Sequence, residues 1–272
     1  MSSARLILLR ALLALPVLFA GAPKAPAGEA DRIEARIEIF GFAGIHVLTN
    51  RTTVEEAGDR YSIAMDLDTH GLARVFVDLT SHSEVHGRLA TDTARPGAYR
   101  AEVRRNGTDR SYGVDYPSDG AVINASMPRS PGRSFSAPAE LIRGTVDQLT
   151  AYFLLERQLA QRGTCALVIP VFDGSALYNL RFTDIKSDAL SADSYQNFAG
   201  PTQLCQVIRE EIRRNPGQGE DTYQRGKIWY ARLTAADLML PVRMEFETAF
   251  GTVRGYLAEL HGHGVHLHLT RE

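Results

Sequence analysis

The chain has 272 residues, 44% of them apolar and 23% charged. That composition suits one large globular domain or two small ones, and excludes wholesale disorder, a collagen-like repeat and a multi-span membrane protein. Its 30 basic and 32 acidic residues give a formal charge of −2, with no basic surplus to neutralise a phosphate backbone, so no nucleic-acid partner is expected.

The first residues differ from everything after them. Arg5 and Arg10 precede an apolar run from Ala11 to Gly21, and small residues follow at Ala22, Ala25, Ala27 and Ala30. This order is that of a secretory signal peptide. Pro16 and a run shorter than the roughly 20 residues needed to span a bilayer weigh against a membrane anchor. Cleavage after Ala27 satisfies the small-x-small pattern with Ala25, giving a signal over 1–27 and a mature domain over 28–272; a cut after Ala30 is the alternative. The implied location is the bacterial periplasm, with no transmembrane segment left after cleavage.

From Arg32 to Ala125 short segments of alternating apolarity succeed one another at intervals of about ten residues, as in β-sandwiches and barrels. Strands are expected at Arg36–Phe40, Ile45–Glu56, Arg60–Thr69, Val77–Ala90, Tyr99–Arg105 and Arg110–Asp115, with Asn106-Gly107 as a hairpin turn. In Arg60–Thr69, Tyr61, Ile63, Met65 and Leu67 face one way. Met127–Pro138, with three prolines, reads as an irregular loop, and a rival organisation would divide the chain there into two β domains. One helix is expected over Thr145–Gln161, opening on a Thr145 to Gln148 capping box and ending near Gly163. Ala166–Phe172, the Asp173-Gly174 turn and Ala176–Ile185 form a hairpin. Ser187–Gln203 reads as a longer loop, and Cys205–Arg213 fits a helix as well as a strand. Lys227–Leu233, Leu240–Thr248, Val253–Leu260 and Val265–Thr270 complete the strands.

Several phrases in the second half carry a family resemblance: Cys165 with Val171-Phe172-Asp173-Gly174, the Tyr178–Phe182 strand, Cys205, Leu240-Pro241-Val242-Arg243 and Gly251-Thr252-Val253-Arg254. With Phe40–Gly44 and Gly144-Thr145-Val146-Asp147 in the first half, the chain resembles the exported bacterial proteins grouped as domain of unknown function 3108. The resemblance implies a mainly β fold, a strongly twisted open antiparallel β-barrel or β-spiral with one long amphipathic helix, and a strand at Cys205. It carries no activity.

Cys165 and Cys205 are the only cysteines. An oxidising compartment and an even count predict a structural disulfide between them. There is no G-x-S-x-G elbow, no P-loop and no G-x-G-x-x-G, and nothing calls for a cofactor. Asp66-x-Asp68, His82 with His86 and the Glu210-Glu211 row read as solvated strand faces. The one metal-like cluster is His261, His263, His266 and His268, although alternation would turn Val265, Leu267 and Leu269 inward and leave His266 and His268 in water.

Two functions follow as expectations. The preferred one is a non-enzymatic periplasmic factor of the cell envelope whose curved sheet holds a lipid acyl chain or a segment of an outer-membrane or other envelope protein. Its cavity walls are expected at Ile63, Met65 and Leu67, with Tyr178, Leu180 and Trp229 opposite. The alternative is an envelope hydrolase or metal-dependent enzyme using the four C-terminal histidines. N-terminal sequencing of the exported protein is expected to begin at Gly28; retention of the apolar run in the mature protein would contradict the signal reading.

Overall fold

The structure, a computed structural model, describes residues 31–71, 73–90, 93–117, 124–126, 138–214, 224–233, 238–248 and 251–270. The signal segment, most of the proline-rich stretch and part of the polar stretch before Gly226 lie outside the described residues.

Alternating apolar residues produce fourteen described strands. They are β1 (Asp31–Phe40), β2 (His46–Ala57), β3 (Arg60–Thr69), β4 (Leu79–Ala90), β5 (Thr93–Arg105), β6 (Thr108–Asp115) and β7 (Asn124–Ser126), then β8 (Leu167–Phe172), β9 (Ala176–Leu190), β10 (Gly200–Arg214), β11 (Arg225–Arg232), β12 (Met239–Thr248), β13 (Gly251–Gly262) and β14 (Val265–His268). The helices are α1 (Ala73–Phe76) and α2 (Ala139–Ile142), of one turn each, and α3 (Gln148–Arg162), of 15 residues.

The strands form one antiparallel sheet in the order β7-β6-β5-β4-β3-β2-β1-β13-β12-β11-β10-β9-β8, with β14 branching from β13. The chain thus starts in the middle of the sheet, meanders outward to β7, passes through α3, and meanders back from the opposite edge until β13 pairs with β1. The sheet is an open barrel: its two edge strands do not pair. They approach through other contacts, since Tyr116 after β6 donates its hydroxyl to the Phe172 carbonyl at 2.8 Å. The free edge of β8 is covered by Val146, whose N–H donates to Pro170 O and whose carbonyl accepts from Phe172 N. A paired edge offers no template to another chain.

Turn chemistry follows the sequence. Asn106 and Gly107 both take positive φ between β5 and β6, as a two-residue hairpin requires. Asp173 Oδ1 accepts from the N–H groups of Ser175 and Ala176, closing the β8–β9 turn.

Two expectations are corrected. Helix α3 begins at Gln148, not Thr145. Its cap is Asp147, which accepts from Thr150 N at 2.9 Å, while the Thr145 hydroxyl turns back to the Ile142 carbonyl. Asp is as good an N-cap as Thr, and the extended backbone at Asp147 places it outside the helix. The end near Gly163 is as expected, with that glycine in the left-handed conformation and its N–H on Leu159 O. Second, the loop expected over Ser187–Gln203 is shorter, because both of its ends are strand. β9 continues to Leu190 and β10 starts at Gly200, because cross-strand pairing such as Ser187 with Gln203 extends a ladder whose side chains are polar. At Cys205–Arg213, where periodicity fits a helix as well as a strand, the chain is strand, as the family resemblance implied.

Helix α3 packs on strands from both halves of the sheet. Ala151, Leu155 and Leu159 join a cluster with Ile169, Tyr178, Leu180, Phe182 and the cystine. Leu149 and Phe153 join one with Tyr61, Val85 and Phe172, in which the Phe153 and Tyr61 rings stack at 5.2 Å. A third cluster, with Trp229, Val242, Leu257 and Leu260, fills the centre of the sheet away from the helix.

Cys165, just before β8, is bonded to Cys205 in β10 with their Cα atoms 5.9 Å apart. The bond spans β9, where Asp184 accepts from the Cys165 N–H at 2.9 Å. Closing a 40-residue separation is worth about 4 kcal/mol in the chain-entropy account. Replacing both cysteines by serine is expected to lower the free energy of urea unfolding by that order; an unchanged midpoint would contradict a structural role.

Candidate functional site

Inside the sheet, beside α3, lies a cavity of about 330 Å³. Alternation builds its walls. Ile33, Ala35, Ile37 and Ile39 project from β1, Leu48 and Val54 from β2, and Met65 and Leu67 from β3. Ile228 and Tyr230 enter from β11 and Met244 and Phe246 from β12. Gly255 belongs to the wall because nothing larger fits there: a Cβ would stand 2.6 Å from Met244 Cγ and 3.1 Å from Ile37 Cγ2.

One face of α3, through Gln148, Tyr152 and Glu156, closes the space. These three are spaced i, i+4, i+8 and therefore lie in a line along the helix. Gln148 Oε1 accepts the Tyr178 hydroxyl at 3.1 Å. Asn50 and Thr52, also in the wall, satisfy one another at 2.8 Å, and the Asn50 amide donates to Met65 Sδ. Glu156 makes no hydrogen bond or ion pair among the described residues. It keeps some accessible surface, which belongs to the cavity it lines. Burial alone pushes its carboxyl up to about 8. An isolated carboxylate is expensive in an apolar enclosure, so the group holds its proton at neutral pH. The next residue, Arg157, pairs with Glu56 at 3.2 Å.

Of the six residues expected to wall a cavity, Met65 and Leu67 do so. Ile63 is packed in the core beside Tyr61. Tyr178 and Leu180 are fully buried beside the cystine under α3. Trp229 faces the other side of the sheet, because its neighbours Ile228 and Tyr230 face in; its indole N–H donates to Asp188 at 3.1 Å and Arg243 lies over its ring.

The four C-terminal histidines are not gathered into one site. His261 and His266 are cross-strand partners with their Nδ1 atoms 2.9 Å apart. His263 sits in the turn, and His268 meets Glu259 at 3.2 Å. The side chains of Val265, Leu267 and Leu269 pack on the central cluster, as alternation required. Among the described residues no group of three or more His, Cys, Asp or Glu is placed to hold a metal ion. Asp66 meets His82 at 2.7 Å, Asp68 meets Arg51 at 3.6 Å and Glu210 meets Arg181 at 2.7 Å, each on a wet face.

A polar cluster on the outer face was not anticipated. Glu38 is buried and is held by Arg36, the Thr49 hydroxyl and His46 Nε2, the last at 2.6 Å. His46 stacks on His70 at 5.2 Å, and burial pushes both imidazoles down. Its members lie on three separate segments, and only the β1–β2–β3 register brings them together.

The buried carboxyls of Glu156 and Asp147 make stability depend on pH. Burial also pushes Asp147 up to about 6, against the hydrogen bonds from Thr150. In the unfolded chain both acids release their protons near the usual carboxylate range, about pH 4. Between there and about 8 the folded form binds more protons than the unfolded one, so stability falls as pH rises. On the acid side, Glu210 and Glu259, held low by their arginine partners, lose stability as pH falls. The melting temperature is expected to peak near about pH 5 and decline toward about pH 8. Glu156→Gln should flatten the upper part of that decline, and an identical profile for the variant would contradict the assignment.

No curated protein compared with the chain matches it. Among solved structures it is similar to a beta-barrel-like protein of domain of unknown function DUF1849 from Brucella abortus, at 11% identity and a TM-score of 0.50, over 86% of this chain and 99% of that one. At that identity the likeness is one of fold. The family model described as protein of unknown function (DUF3108) matches residues 36–258. That match takes in β2 to β12 whole, α3 and both cysteines, and the chain belongs to this family.

Proposed function

We propose that the protein is a non-enzymatic, exported factor of the bacterial cell envelope that holds the acyl chain of a lipid in the cavity beside α3. The observation that carries this reading is the cavity itself, about 330 Å³ and walled mainly by aliphatic side chains. It is at the lower end of the roughly 300–1,000 Å³ typical of small-molecule sites. An apolar space of this size in a close-packed interior leaves dispersion and hydrophobic energy unrealised until something apolar fills it. An acyl chain does so at about 0.8 kcal/mol per methylene buried.

Export is supported by the signal-like first 27 residues, and the cystine suits an oxidising compartment. Among the described residues no helix is long and apolar enough to cross a membrane. The protein segment weighed as a ligand from the sequence is the less favoured occupant. An extended peptide carries backbone N–H and C=O groups that need partners, and most of the wall offers none.

Native mass spectrometry of protein purified from its own periplasm, followed by lipid extraction, is expected to release a homogeneous lipid. Affinity for a series of straight-chain ligands should rise about fourfold per added methylene until the cavity is full. Leu48→Phe, which fills part of the space, should lower lipid occupancy while leaving the fold intact. Recovery of a peptide, or an empty protein with flat chain-length dependence, would contradict the reading.

A further inference from the structure

We propose that Glu156 is the polar anchor of the cavity, and that it selects an uncharged amphiphile whose head is a hydroxyl group. This rests on the acyl-chain reading of the same cavity and specifies its ligand class.

Several polar groups of the wall are already engaged. Asn50 and Thr52 bind one another and Met65. Gln148 takes the Tyr178 hydroxyl. Tyr152 and Tyr230 each have a partner. Glu156 has none among the described residues, so the one acid of the described wall is left to meet a ligand. Its carboxyl is charge-isolated too. Glu156 is the only Asp, Glu, Lys, Arg or His in the described wall. The titratable groups facing the space with it are the phenols of Tyr152 on α3 and Tyr230 on β11. The nearest cation along the helix, Arg157, is committed to Glu56 on β2.

These facts separate three kinds of head group. An anionic head would bring a charge out of water into a wall that holds no cation, so its desolvation is set against a single hydrogen bond from the Glu156 carboxyl. A cationic head would have to leave water for an apolar enclosure and ionise Glu156 to gain a partner, with the desolvation of both charges set against their attraction. A hydroxyl group needs neither. The protonated carboxyl donates its O–H to the ligand oxygen, and the ligand O–H donates to the carboxyl C=O, so both polar groups are satisfied without moving charge into the interior. The raised titration point of Glu156 supports this, because it keeps the donor form in place at neutral pH.

The test is displacement of the neutral fluorophore N-phenyl-1-naphthylamine from the full mature chain by decane, 1-decanol, decanoate and decylamine. It is run on the unaltered protein, Glu156→Leu and Glu156→Gln, at about pH 6.5 and about pH 9.5, on either side of the Glu156 titration. At the lower pH 1-decanol is expected to bind about tenfold more tightly than the other three, the worth of one satisfied buried hydrogen bond. Glu156→Leu should abolish that preference while binding decane at least as well as before. Glu156→Gln, which cannot ionise but still donates and accepts, should keep the preference at both pH values. A preference for 1-decanol that survives Glu156→Leu, or tightest binding of decanoate or decylamine, overturns the anchor. Decane binding with no preference dependent on Glu156 overturns the anchor and leaves the acyl-chain reading standing. Failure of all four ligands to displace the fluorophore overturns both.

Discussion

The buried cap at Asp147 sets where α3 sits, and the site follows from that placement. Asp147 takes the Thr150 N–H and hydroxyl, and that hydroxyl is also 2.8 Å from the Tyr61 Oη on β3. The cap therefore ties the start of the helix to a strand of the first meander, while the Val146 bridge ties the residue before it to β8 of the second. From that point a 15-residue helix runs about 22 Å, with Leu149 and Phe153 committed to one half of the sheet and Ala151, Leu155 and Leu159 to the other. The remaining face, Gln148-Tyr152-Glu156, points to β1, β2, β11 and β12 without reaching them closely enough to fill the space. The cavity is what remains when a slender helix is wrapped by a sheet of thirteen strands in sequence.

Glu156 is then best understood as a group that the fold tolerates rather than needs. A buried acid without a partner costs stability, and replacing it by an apolar side chain of similar size is usually neutral or favourable. Sites where local consistency fails are where function is found most often, because selection retains the costly group. The outer Glu38 cluster makes the contrast. There the buried carboxylate is held by an arginine, a threonine hydroxyl and an imidazole, so its burial is accounted for within the fold.

Much of this architecture is legible from residue patterning. Period-two apolarity located β3 at its observed bounds, Asn106-Gly107 marked a true hairpin, and two cysteines in an export context pointed to the cystine. The errors have physical causes. Lys186, Ser187 and Asp188 resemble a loop because both faces of that strand end are polar, yet the β10 backbone supplies the ladder. Trp229 looks like a cavity wall because it is large and apolar, but its neighbours Ile228 and Tyr230 take the inner face. The cavity itself was beyond reach: alternation tells which residues face inward, not whether they meet. Glu156, followed by Arg157, reads as an ordinary solvated helix pair. Only the fold shows that the arginine turns to Glu56 and that the acid has no partner among the described residues.

Anomalous diffraction from crystals soaked with 10-bromo-1-decanol tests the central claim most directly, since bromine reports its position without assumption about the rest of the ligand. The account predicts a single bromine peak among the aliphatic residues between β1, β3 and β12, with the chain leading back to a hydroxyl within hydrogen-bond distance of the Glu156 carboxyl. A cavity closed by its own side chains, with bromine bound only on the outer surface, would contradict it.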